Sequence, residues 1–255
     1  MIANLFVVGP AGSGKSTFTA AFREWMIKNE YDTITVNLDP GAEILPYTPD
    51  IDVRDIIDLS SIMEEYGLGP NGAQIVAADM IANFVEEIKS EVDSYESDYV
   101  IYDTAGQIEL FAFRAASKFI VDYLGGNNSM LAFLFDPALA KSPSGFVSLL
   151  MLSSSIYFRF YNPFINILSK VDIVDDKDLA NIAQWSKNWD YLYDSLLNEN
   201  PGMRKELSIE LFKALENINA FRTLIPTSAR MLYGYEDVYT AIQLTFAGGE
   251  DIEKR

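Results

Sequence analysis

The sequence predicts an α/β fold: a doubly wound, mainly parallel six-stranded sheet with helices on both faces, plus helical insertions. Six short apolar runs carry this reading, at residues 2–8, 33–38, 99–102, 130–136, 164–169 and 223–227, with helical patterns between them. Strands that alternate with helices pair in parallel. A second observation agrees with the first. Gly9, Asp39, Asp103, Asp136, Lys170 and Ser228 all fall at or just past the ends of those runs, and the carboxyl ends of the strands are where such sheets hold ligands. With 255 residues and 49% hydrophobic content the chain can fill one large core, so residues 1–255 are read as a single domain.

The first run is apolar and β-branched, as a buried strand requires, and residues 17–29 carry helical spacing. Between them Gly9-Pro10-Ala11-Gly12-Ser13-Gly14-Lys15-Ser16 matches the phosphate-loop pattern G-x-x-x-x-G-K-[ST]. Glycines there let backbone N–H groups turn inward around an anion, and the opening helix adds its positive end. Gly12, Ser13, Gly14 and Thr17 are therefore candidate phosphate contacts. Lys15 is expected to reach the β- and γ-phosphates, and Ser16 to offer its hydroxyl to Mg2+. The fold expected is that of a P-loop NTPase.

The second run leads into Asn37-Leu38-Asp39-Pro40-Gly41. A carboxylate at Asp39 can meet the metal's water shell or the attacking water; the plain alternative is an Asp-Pro-Gly turn. Glu43 is a weaker candidate nearby. Residues 41–75 form an insertion containing Gly67-Leu68-Gly69-Pro70-Asn71-Gly72, followed by a helix from about residue 73 to 95. The third run ends in Asp103-Thr104-Ala105-Gly106-Gln107, which is the D-x-x-G arrangement of nucleotide switches. Asp103 suits Mg2+, the Gly106 N–H suits a γ-phosphate, and the Gln107 amide can orient water. Whether Asp39 or Gln107 handles the nucleophile stays open.

Residues 145–158 read as a buried helix, because three consecutive serines interrupt a segment already short of the ~20 apolar residues of a bilayer span. The aromatic stretch 157–161 is read as the core face of that helix, with a partner surface as the alternative. After the fifth run comes Ser169-Lys170-Val171-Asp172. A carboxylate at Asp172 can accept from N1–H and the exocyclic amine of guanine, a pair adenine does not present, while the Lys170 stem stacks on the ring. Asparagine is commoner at the position of Ser169. Ser228-Ala229 after the sixth run is expected to add a backbone N–H to the base oxygen. Residues 173–220 form a second insertion of two helical segments split near 198–202, and the tail 248–255 is expected to fray.

Composition narrows the chemistry. The net charge of -18 leaves no basic stripe for a nucleic-acid backbone. There is no Cys and no His, so thiolate metal sites and imidazole bases are excluded. The first strand begins at once, with no basic leader or cleavage site, so neither membrane insertion nor export is expected and the cytoplasm is the predicted location. A kinase would need an arginine-bearing lid, and arginines such as Arg114 and Arg159 form no cluster in the sequence.

The phosphate loop, Asp103-Thr104-Ala105-Gly106-Gln107, Ser169-Lys170-Val171-Asp172 and above all Gly69-Pro70-Asn71 together resemble the GPN-loop GTPases, in their archaeal form. The resemblance covers essentially the whole chain. It implies a GTPase of the dimerising class that cycles between GTP and GDP with Mg2+ as a homodimeric switch. It also implies that Asn71 reaches into the partner's phosphate site. Relatives of that class that carry a signature lysine early in the loop would place it at position 10, where this chain has Pro10; Asn71 then stands in for the missing cation. For eukaryotic relatives the resemblance implies a role in RNA polymerase assembly. A GTP-gated assembly factor with negligible hydrolysis is the alternative reading.

Overall fold

The computed structural model describes residues 1–217 and 224–248. Among them seven strands form one parallel sheet: β1 Ala3–Val8, β2 Thr33–Leu38, β3 Ile51–Asp52, β4 Tyr99–Thr104, β5 Ser129–Phe135, β6 Phe164–Leu168 and β7 Leu224–Pro226. Their spatial order is β3-β2-β4-β1-β5-β6-β7. The sheet thus gains one strand over the six expected. β3 has two residues, too few to show any period in the sequence. Residue 223, assigned to the last run, and residues 249–255 of the tail lie outside the described residues.

Alternation along β1 explains the double winding. Leu5 and Val7 join Phe18, Phe22 and Met26 of helix Lys15–Lys28, and Val238 and Ile242 of helix Tyr235–Phe246, in one core layer. Phe6 and Val8 point the other way. They share the opposite core layer with Ile88 of helix Val85–Ser94, Ile120 of helix Ala115–Gly125 and Phe146 of helix Pro143–Phe160. Phe6 stacks on Tyr102 of the neighbouring strand with ring centroids 4.3 Å apart, a pairing that adds about 1 kcal/mol beyond the buried area.

The helix expected at 73–95 is broken. It runs as Pro70–Met80, a 3-10 turn Ile81–Asn83, and Val85–Ser94. Glu86 and Glu87 stand in the first turn of the second piece, where the helix dipole favours carboxylates, so a fresh start there competes with continuation. Among the described residues the two segments expected in 173–220 are three, Asp176–Trp185, Trp189–Leu197 and Met203–Asn217, while residues 218–220 lie outside the described ones. The extra break is made by Asn188, whose side chain accepts from the Tyr191 N–H and caps a new helix. Helix Pro143–Phe160 buries Phe160 but leaves Phe158 47% and Tyr161 72% exposed, so only part of the aromatic stretch serves the core. No helix among the described residues is long and apolar enough to cross a membrane.

Register gathers the site. Asp103 pairs with Val7 of β1 on one side and Asn37 of β2 on the other, which sets its carboxylate between the loops that leave both strands. Asp103 therefore lies inside β4 rather than beyond it.

Candidate functional site

The phosphate loop turns into helix Lys15–Lys28 at Gly14, whose φ of 94° no side-chain-bearing residue adopts without strain. A Cβ at Gly14 would also come within 3.2 Å of the Lys170 stem. No side chain caps the helix's first turn, so its N–H groups are left for an anion. Lys15 is 5% exposed and folds back into the loop, donating to the carbonyls of Gly9 at 3.0 Å, Pro10 at 3.1 Å and Gly106 at 2.7 Å. Burial lowers its pKa to about 8, against the pull of Asp103, Asp39 and Glu109.

That value carries a sign. A polyphosphate favours the ammonium form of Lys15, so binding draws its pKa upward and takes up a proton wherever the empty loop has released one. Affinity for pyrophosphate should hold below pH 8 and fall as pH rises above it. Titration calorimetry at pH 8.5 in buffers of different ionisation enthalpy should register that uptake, and Lys15→Arg should abolish it.

Three of the predicted residues lock onto one another. Asp39 accepts from the Gly41 N–H at 2.9 Å through one oxygen and from the Gly106 N–H at 2.8 Å through the other. Burial raises its pKa, opposed first by those two backbone bonds and then by Lys15. Gly106 is thus held at both ends, its N–H by Asp39 and its carbonyl by Lys15. Gln107 is exposed at the start of the short helix Ile108–Phe111.

Asp103 is fully buried. Burial pushes its pKa up to about 6, against the neighbouring hydroxyls of Ser16 and Tyr47 and the charge of Lys15. Oδ2 accepts from the Tyr47 hydroxyl at 3.1 Å, whereas Oδ1 is buried without a hydrogen-bond partner. An orphaned oxygen on a buried carboxylate that neighbours a serine fits a cation that takes one or two protein oxygens and fills its shell with water and phosphate, as Mg2+ does. No group of three or more His, Cys, Asp or Glu side chains that could hold a metal ion exists among the described residues. Asp39, with both oxygens engaged, fits the ion's water shell better than direct ligation.

A pocket opens on the other side of Gly14, lined by Thr17, Ser169, Lys170, Asp172, Ala229 and Tyr235 among others. Its floor is tied to the phosphate loop. The Ser169 hydroxyl donates to the Ser13 carbonyl at 2.7 Å, and Lys170 donates to the Gly12 carbonyl and to Asp136. The Asp172 carboxylate accepts from the Ser228 hydroxyl at 2.7 Å. The Ser228 N–H donates to the Tyr233 carbonyl at 3.1 Å, so Ser228 acts through its hydroxyl on Asp172, and only Ala229 is left to offer an N–H to a base oxygen.

Gly69 is the N-cap and Pro70 the first residue of helix Pro70–Met80. Gly69, Pro70 and Asn71 are all exposed. Gln74 of the same helix lies against Gly41, within 2.8 Å of where a Cβ would stand, so the helix that the tripeptide opens adjoins the loop that carries Asp39. Among the described residues no hydrogen bond joins the tripeptide to its own chain's phosphate loop. Arg114 pairs with Asp79 and Arg159 donates to the Arg114 carbonyl, which leaves neither as a lid over the pocket. Sequence reasoning missed Tyr47 and Tyr235. Neither belongs to a local pattern; both are defined by contacts across the fold.

Residues 7–248 match a family model described as a conserved hypothetical ATP-binding protein. The chain is 29% identical over 244 residues to GPN-loop GTPase 1 of Dictyostelium discoideum, covering 94% of this chain and 61% of that protein. It is 38% identical over 175 residues to GPN-loop GTPase 3 of Kluyveromyces lactis, covering 68% and 65%. It therefore spans under two thirds of the length of those two relatives. With a GPN-loop GTPase of Pyrococcus abyssi it shares 30% identity over 235 residues, 91% of this chain and 93% of that one. The crystal structure of a GTPase in apo form from the same organism superposes with a TM-score of 0.83 at 29% identity, covering 94% of this chain and 96% of that chain. The chain belongs to the GPN-loop GTPase family.

Proposed function

We propose that the protein binds GTP with Mg2+ and hydrolyses it to GDP and phosphate, as a homodimeric switch in the cytoplasm that serves assembly of a larger protein complex. The observation that carries the base assignment is the Asp172 carboxylate, fixed by Ser228 at the wall of a pocket whose other side is the Lys170 stem over Gly14. An acceptor-only group there suits the two donors of guanine and repels the acceptor N1 of adenine. This favours GTP over the ATP of the family description.

In this reading Asp103 and Ser16 hold Mg2+, which would neutralise charge developing on the β- and γ-oxygens. Lys15 leaves its loop carbonyls for the phosphates. The Gly106 N–H passes from Asp39 to the γ-phosphate, and that exchange frees an Asp39 oxygen to orient the attacking water. Gln107 is placed to share that task. Asn71 of each subunit serves the other's phosphate site. Residues 41–75 and 173–220 are then insertions into one catalytic domain, and the client is a protein rather than nucleic acid or membrane.

Phosphate release from GTP and from ATP, measured across protein concentrations, tests the proposal. GTP-selective turnover that rises per subunit as dimers form supports it. Asp172→Asn should lower the GTP-to-ATP preference about tenfold, the value of one charge-assisted hydrogen bond. Unchanged preference would sink the base assignment, and tight GTP binding without turnover would favour the assembly-factor reading.

A further inference from the structure

The segment between β2 and β3 is built to hold one side chain in place. At its start Asp39 is fixed by Asn37, Gly41 and Gly106. At its end Asp50 accepts from Arg23 at 2.9 Å through Oδ1, and from the Thr35 N–H at 2.8 Å and hydroxyl at 2.9 Å through Oδ2. Arg54, forked onto Asp52, donates to the Ala42 carbonyl at 2.8 Å and draws the middle of the segment down. Between these ties Tyr47 turns inward. Its hydroxyl meets Oδ2 of Asp103 at 3.1 Å, across 56 residues of sequence.

We propose that Tyr47 is a positioning residue for the divalent cation: its hydrogen bond fixes the Asp103 carboxylate through Oδ2 and leaves Oδ1 as the oxygen open to the ion or its water. The division of labour follows from the two oxygens. One has a donor in the segment 40–50; the other is buried with no hydrogen-bond partner, on a carboxylate that has Ser16 as a neighbour. A carboxylate held at one oxygen has lost the rotation that would otherwise oppose metal binding, which is why partners of metal ligands alter affinity without touching the metal. The proposal rests on the Mg2+ and GTP reading above. It adds a residue that none of the sequence motifs contains.

Fluorescent GDP binding by the full-length protein, titrated with Mg2+ from an EDTA-treated start, tests it against Tyr47→Phe, which keeps the ring and removes only the hydroxyl. The expected result is unchanged GDP affinity in EDTA and a Mg2+ midpoint raised about tenfold. An unchanged midpoint overturns the proposal, as does a lowered one, which would make Tyr47 a competitor of the ion. Equal losses with and without Mg2+ would assign Tyr47 a structural role instead. If wild-type GDP affinity ignores Mg2+, the metal reading falls and Tyr47 with it. If guanine nucleotides do not bind at all, the proposed function itself is wrong.

Discussion

Lys15→Ala is expected to lower affinity for GTP by about two orders of magnitude, the cost of removing a buried charged partner from a polyanion at roughly 3 kcal/mol. The structure also predicts what the loss will not do. Lys15 donates to the carbonyls of Gly9, Pro10 and Gly106, so its removal frees those carbonyls but also relieves the burial of an ammonium whose pKa has fallen to about 8. Those effects oppose each other, and thermal stability of the empty protein should change little. Equilibrium binding of fluorescent GTP, paired with a melting curve, separates the two. A large fall in melting temperature with modest loss of affinity would make Lys15 a structural residue of the loop.

Asn71→Ala should lower kcat about a hundredfold and leave GTP affinity within about twofold, the pattern of a donor used in the transition state rather than in ground-state binding. The exposure of Gly69, Pro70 and Asn71 fits that split, because a solvent-exposed side chain adds little to ground-state binding by a lone subunit. Pro70 at the first helical position sets the backbone just ahead of Asn71. Mixing Asn71→Ala subunits with Lys15→Ala subunits gives a sharper measurement. If the amide acts across the interface, each mixed dimer holds one complete site, in which the intact Lys15 loop of one subunit meets the intact Asn71 of the other, and activity recovers on mixing. If the amide serves its own chain's site, every site in the mixed dimer lacks one of the two residues and activity stays low, which would overturn the assignment in trans.

Much of the site was legible because its parts are contiguous in sequence. The eight residues of the phosphate loop and the five from Asp103 to Gln107 carry their own geometry, and strand periodicity set both at the carboxyl end of the sheet. What could not be read were contacts between those parts. Nothing local announces that the Ser169 hydroxyl reaches Ser13, 156 positions away, or that Asp39 holds the Gly106 N–H across 67. The departure from asparagine at 169 is resolved by that contact, since a small hydroxyl suffices to tie the two loops. Which residue of the pair Ser228-Ala229 offers its N–H could not be read for the same reason: the Ser228 N–H is taken by Tyr233 in a bridge within a loop without strand periodicity. The helix break at Phe84 and the cap at Asn188 were missed differently. Apolar spacing runs on through both, and a local electrostatic or capping preference decides against it.

The tie between Ser169 and Ser13 divides the site into a half that is finished and a half that must change partners. The base wall and the loop around the first phosphates are joined before any ligand arrives, so they dock as one rigid piece and add little reorganisation to the encounter. Gly106 is still claimed by Asp39 and Lys15. In the proposed scheme a diphosphate needs only the finished half. A triphosphate must also break into the second, so rapid mixing should resolve one kinetic phase for GDP and two for GTP, the slower independent of GTP concentration.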